Sequence, residues 1–210
     1  MTTAAQQFRT LTIHRLQDAV RFKEPYYQQP NSVYPEASAL EVMTDLNFVP
    51  AAAVRVDASL EHAHQVMIDR GVRLVFAVDA GHMVLGLLTA TDVLGARSAT
   101  AAQGLGISKD ELRVRDVMTP VAQIEVLALV EVVHARVGDI VATLRHSGRQ
   151  HALVVDRNMP DDSLVIRGIF SASQIARQLG IAVKPGNLEH TFEQIDETIG
   201  QLQAQRLVKY

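Results

Sequence analysis

The chain is predicted to be an α+β protein made of two tandem β-α-β-β-α repeats packed pseudo-symmetrically, with an N-terminal arm and a C-terminal helix. Three observations predict this. First, one segment occurs twice. Gly71-Val72-Arg73-Leu74-Val75-Phe76-Ala77-Val78-Asp79 runs on to Gly86-Leu87-Leu88-Thr89-Ala90-Thr91-Asp92, and Gly148-Arg149-Gln150-His151-Ala152-Leu153-Val154-Val155-Asp156 runs on to Gly168-Ile169-Phe170-Ser171-Ala172-Ser173-Gln174. Second, each copy follows a helix-period stripe and, before it, a short apolar run. Third, one such unit is too thin to bury both faces of its sheet, so two copies must share a core.

The elements follow in order. Residues 1–38 form an arm of weak periodicity, in which Pro25, Pro30 and Pro35 make the stretch 25–35 an extended loop. The repeats open in parallel, Val42-Met43-Thr44 beside Val117-Met118-Thr119. Ala53-Val54-Arg55-Val56 and Ile124-Glu125-Val126-Leu127 are the first strand of each. Ser59 then caps a helix with His62 at its third position, and Leu60, Ala63 and Met67 share one face of it. Val137, Ile140 and Leu144 repeat that stripe 77 positions later. Gly71 and Gly148 stand where a helix end favours a left-handed residue.

The continuous apolar runs Val75–Val78 and Ala152–Val155 suit buried strands. A turn, a second strand and a final helix complete each copy. Asp79 and Asp156 keep the 77-residue offset, whereas Ser171 lies 82 beyond Thr89, so the second hairpin carries five more residues around Arg157 to Ser163. The expected domains are therefore 1–38 (arm), 39–97 (first repeat), 98–111 (linker), 112–180 (second repeat) and 181–210 (C-terminal helix). In that helix, capped by Asn187, residues Leu188, Phe192, Ile195, Ile199 and Leu202 make a short heptad stripe. It serves either to dock the helix on its own domain or to make a dimer contact.

Composition narrows the function. The chain of 210 residues is 48% hydrophobic and 20% charged, as in ordinary soluble globular proteins. A net charge of −3 leaves no basic field for nucleic acid or anionic lipid. With no cysteine there is no disulfide, thiolate metal site or thiol nucleophile. Met1–Thr12 lacks the pattern of a secretory signal and no apolar run is long enough to span a bilayer, so the expected location is the cytoplasm. No phosphate-binding glycine loop, nucleophile elbow or paired-cysteine motif is present, so no catalytic apparatus is visible and the protein is not expected to be an enzyme. The eight histidines, His62 and His64 among them, form no ligand spacing. Glu189, His190, Glu193, Asp196 and Glu197 read as a solvated acidic face.

On the Val-Met-Thr starts, the Leu60-x-x-Ala63-x-x-x-Met67 helix, the Val-Asp strand ends and the Gly86-to-Asp92 segment, the sequence resembles the CBS (cystathionine-β-synthase) domain pair, or Bateman module, over about residues 39–180. Two copies in register make the signal. The resemblance implies a regulatory protein that binds an adenosine-containing ligand (AMP, ADP, ATP or S-adenosylmethionine) between the repeats and signals by a conformational change. It also implies a homodimer. By resemblance, Thr89 and Asp92 take the positions that hold the ribose hydroxyls, which suits an acceptor-only carboxylate. Val117, Met118, Thr119 and Ile124 would flank the adenine, and Arg149 and His151 would face phosphate. Alternatively, Asp92 is a helix cap and Arg149 and His151 an exposed turn. The second cleft would use Ser171, Gln174, Met43, Thr44, Asp45 and Arg73, with Arg73 also reaching phosphate in the first. There the sequence departs from the family pattern, since Gln174 stands where Asp92 stands in the first copy. That cleft is expected to be weaker, empty or altered in ligand. A ligand-free dimerisation or adaptor module that recruits a protein partner is the competing expectation.

Overall fold

The computed structural model describes residues 33–158, 162–181 and 188–207. Most of the predicted N-terminal arm, the tip of the second hairpin and the Asn187 cap lie outside the described residues. The elements, in chain order, are β1 (Thr44–Asp45), β2 (Ala53–Arg55), α1 (Leu60–Arg70), β3 (Leu74–Val78), β4 (Val84–Thr89), α2 (Ala90–Leu94), α3 (Ala96–Leu105), α4 (Val114–Val117), β5 (Thr119–Pro120), β6 (Val126–Ala128), α5 (Leu129–Val132), α6 (Val137–Ser147), β7 (His151–Asn158), β8 (Ser163–Ser171), α7 (Ala172–Gln178) and α8 (Leu188–Leu207).

The repeated stripes do what their spacing predicts. Leu60, Ala63 and Met67 on α1 are buried, as are Val137, Ile140 and Leu144 on α6. The Ser59 hydroxyl accepts from the His62 N–H at 3.1 Å, satisfying one of the orphan donors at the start of α1. Gly71 and Gly148 end the two helices with φ of 62° and 63°, a conformation that costs a residue with a Cβ.

Each copy builds a four-stranded sheet, in the orders β2-β3-β4-β5 and β1-β8-β7-β6. The pairings match: β2 runs parallel to β3, and β6 to β7, whereas β3–β4 and β7–β8 are antiparallel hairpins. All five residues of β3 are buried because its two faces meet different partners. Val75 and Ala77 pack on the helices with Leu60 and Met67, while Leu74, Phe76 and Val78 meet Leu153, Ile166 and Ile169 of the other sheet. Thus helices cover the outer face of each sheet and the inner faces pack on one another.

The copies also exchange strands. β5, at the start of the second repeat, is the edge strand of the first sheet, with Leu87 opposite Thr119. β1, at the start of the first repeat, lies on the second sheet, with Thr44 opposite Ile169. This exchange brings the Val-Met-Thr start of each copy beside the end of the other. It also requires glycine. A Cβ on Gly86 would stand 2.5 Å from the Thr119 carbonyl oxygen, whereas one on Gly168 would meet only the flexible Met43 side chain. Gly86→Ala is therefore expected to lower stability by about 1–3 kcal/mol and Gly168→Ala by less than about 1 kcal/mol, because only the former must move backbone. Urea unfolding of the two variants checks the order.

α8 docks on the second half. Phe192 and Ile195 are buried in the core formed by α6, α7 and the second sheet, with Ile199 packed against it. Arg145 of α6 pairs with Asp196 of α8 at the edge of this contact. Of the two uses open to the predicted stripe, the described part serves intramolecular docking. No helix among the described residues is long and apolar enough to cross a membrane.

Candidate functional site

The end of the first repeat is organised around one carboxylate. Thr89 closes β4 and caps α2, its hydroxyl accepting from the Asp92 N–H at 3.3 Å. Asp92 Oδ2 in turn accepts from the Thr89 N–H at 2.8 Å and the Thr89 hydroxyl at 2.6 Å, which completes a capping box. Asp92 Oδ1 accepts from Arg97 Nη1 at 3.1 Å. The same guanidinium crosses to the second repeat, donating to Thr119 Oγ1 at 2.9 Å and to the Met118 carbonyl at 3.0 Å. Arg97 therefore ties the end of one copy to the start of the other. Its role could not be read from spacing, because Gly95 breaks the helix between Asp92 and Arg97 and removes the periodicity that would relate them.

Beside this cluster opens a cavity of about 330 Å³, near the lower end of the range for small-ligand pockets. Of the predicted residues, Thr89, Asp92, Thr119, Ile124, Arg149 and His151 all line it. Leu74, Leu87 and Leu153 supply the rest of an apolar wall. These three were hidden in the continuous apolar strands, whose inward and outward faces look alike in sequence. Val117 is instead core, and Met118 packs against that core while lending its carbonyl to Arg97.

Charge in the cavity is nearly balanced. Arg149 Nη2 lies 2.9 Å from Glu125 Oε2, and Arg97 is matched by Asp92. Burial pushes the His151 imidazole down to about pKa 4, with the nearby Arg73 charge acting in the same direction, so the ring is neutral near pH 7.

Residues 39–99 match the family model of the CBS domain. The structure is similar to that of an uncharacterized conserved protein from Pyrococcus horikoshii, with 17% identity, a TM-score of 0.50, and coverage of 73% of this chain and 100% of that one. The chain has the fold of a CBS-domain pair. Two CBS proteins are similar at lower scores. CBSX2 in complex with AMP has 20% identity, a TM-score of 0.47, and coverage of 67% of this chain and 94% of that one. The CBS domain pair of protein MJ0100 in complex with 5′-methylthioadenosine and S-adenosyl-L-methionine has 15% identity, a TM-score of 0.47, and coverage of 70% and 98%. No curated protein matches the sequence.

The structure has a second cleft, of about 380 Å³, related to the first by the internal pseudo-symmetry. It joins the end of the second copy, Ser171 and Gln174, to the Gly71–Leu74 turn of the first. Arg73 lines this cleft and not the first, while Leu74 and His151, which occupy equivalent positions in the two copies, line both. Gln174 Oε1 accepts from Thr44 Oγ1 at 3.1 Å, so the glutamine takes up the start of the opposite copy, much as Arg97 does across the first cleft. Asp45 is paired with Arg167, outside the cleft wall. Among the described residues, no three His, Asp or Glu side chains gather as metal ligands.

Proposed function

We propose that this CBS pair is a regulatory protein whose first cleft binds an adenosine-containing ligand, with the ribose hydroxyls on Asp92. The observation that carries the reading is the convergence of Thr89 and Asp92 from one copy with Thr119, Ile124, Arg149 and His151 from the other around a cavity of nucleoside size. The apolar wall of Leu74, Leu87, Ile124 and Leu153 suits a purine ring. Because Arg149 and Arg97 already face carboxylates, the cleft favours ligands of low negative charge, such as S-adenosylmethionine or AMP, over ATP.

Asp92 already accepts three hydrogen bonds, against roughly four lone-pair sites on a carboxylate. A cis-diol needs two of those sites, so Arg97 must withdraw for the ribose to bind. Its withdrawal also frees Thr119 and the Met118 carbonyl, loosening the strand exchanged between the copies. In this way occupancy of the cleft becomes a change in how the halves are joined, and a dimer mate or protein partner would read that change. Titration calorimetry and melting with AMP, ADP, ATP and S-adenosylmethionine test the reading. At least one should release heat and raise Tm, because a ligand of the native state alone must stabilise it. Silence with all four at millimolar concentration would leave the ligand-free adaptor, in which the Arg97–Asp92 bridge is purely structural.

A further inference from the structure

Charge of the two signs is unequal on the wall of the first cleft. Two carboxylates, Asp92 and Glu125, line it against one guanidinium, Arg149, while His151 is neutral. Once Arg97 has withdrawn from Asp92, as ribose binding requires, the wall carries a net charge of −1. Glu125 and Arg149 form one unit within it. Glu125 directly precedes β6, Arg149 stands in the turn before β7, and Glu125 Oε2 lies 2.9 Å from Arg149 Nη2. The strand registers, Ala53 opposite Phe76 and Val126 opposite Leu153, place Ala52 of the first copy at the position of Glu125. Val72 stands at that of Arg149. The pair therefore belongs to the second repeat alone. Its side chains are 76% (Glu125) and 43% (Arg149) exposed, and an ion pair so exposed adds little to stability. Its place on the wall gives it a role toward a ligand instead.

We propose that Glu125 is the specificity-determining residue of the first cleft, reading the charge of the group attached to the adenosyl unit and selecting a cationic group over a phosphate chain. The inference rests on the adenosyl reading of this cleft given above. A cationic ligand meets the Glu125 carboxylate without parting it from Arg149, because a carboxylate offers about four lone-pair sites and the pair uses Oε2 alone. A phosphate must instead draw Arg149 away, and it then lies beside a carboxylate that has lost its partner. Each further negative charge on the ligand adds to that repulsion, which salt weakens because Glu125 is exposed. S-adenosylmethionine fits the wall best of the adenosyl ligands considered. Its sulfonium and ammonium outnumber its one carboxylate, so its net charge is opposite to that of the cleft. ATP fits it least.

The test titrates adenosine, AMP, ATP and S-adenosylmethionine calorimetrically into the full chain and into Glu125→Gln at low salt. Glutamine keeps the size of an exposed side chain, so the fold should stay intact. The wild type should bind S-adenosylmethionine more tightly than AMP, and AMP more tightly than ATP. Glu125→Gln should leave adenosine within about twofold, weaken S-adenosylmethionine about tenfold and strengthen ATP about tenfold, the worth of one charge at a partly exposed contact. Arg149→Gln separates the carboxylate from its partner. It should tighten S-adenosylmethionine, whereas a loss equal to that in Glu125→Gln would mean that Glu125 only positions Arg149, and would overturn the proposal. Adenosine binding with the order of the charged ligands unchanged in Glu125→Gln also overturns it, and leaves the adenosyl reading standing. No binding of any of these ligands to either protein removes the adenosyl reading and the role of Glu125 with it.

Discussion

Asp92→Ala should weaken binding of an adenosine-containing ligand ten- to a hundredfold, about the worth of one charge-assisted hydrogen bond of roughly 1.5–3 kcal/mol. The substitution also removes half of the capping box, since Asp92 Oδ2 serves the Thr89 N–H and hydroxyl. That costs about 1 kcal/mol of stability and is measured separately by urea unfolding. Arg97→Ala supplies the control that separates binding from folding. It leaves the capping box whole and uncovers Asp92 Oδ1. If Arg97 competes with the ribose, its removal should raise affinity by up to about fivefold, because an exposed ion pair holds less than about 1 kcal/mol. Opposite signs for the two variants support the competition. A fall in both would mean that Arg97 itself holds the ligand. Gln174→Ala, on the other cleft, should change the affinity little.

Why the sequence told so much of the fold and only part of the site is a matter of which residues repeat. The stripes of α1 and α6, and the left-handed Gly71 and Gly148, recur at a constant offset, so periodicity and turn chemistry agree with each other. The strand exchange leaves no such trace. β1 and β5 are two residues long, too short to show alternation, and their partners are set by the close approach at Gly86 and Gly168. Within the cavity, Thr89, Asp92, Arg149 and His151 were legible through the resemblance to the CBS pair, not through spacing, since the matching positions carry Ser171, Gln174, Val72 and Leu74. Leu74, Leu87 and Leu153 were not, since a continuous apolar run conceals which residues face the opposite sheet. Arg97 belongs to neither repeat's pattern. The insertion in the second hairpin is plain in the sequence, but its tip lies outside the described residues.

Acid should destabilise the protein over a window set by His151, and His151→Leu should remove that dependence. Burial, reinforced by the Arg73 charge, holds the folded imidazole down at about pKa 4, against about 6.5 in an unfolded chain. Between these values the unfolded state binds more protons, so stability rises with pH there. The contribution is whole above about pH 6.5 and is lost progressively as pH falls toward about 4, amounting to at most about 3 kcal/mol. The groups around the ring argue for the same sign. Arg73 and Arg177 on one side, and the Arg149–Glu125 pair on the other, offer an imidazolium no free carboxylate. Asp57 and Glu111, whose pKa values are lowered chiefly by backbone N–H donors, begin to lose their own contributions at the acid edge of this window, as pH falls to their ordinary values. They are common to wild type and variant, so they cancel in the comparison. Leucine is the apt replacement because Leu74 fills the equivalent place in the first copy and, like His151, lines both clefts. Urea unfolding at about pH 7 and about pH 4.5 should therefore show a loss in the wild type of roughly 2 kcal/mol that is absent in His151→Leu. Equal losses in both proteins would place the titrating group elsewhere and leave the imidazole free to protonate in the folded state.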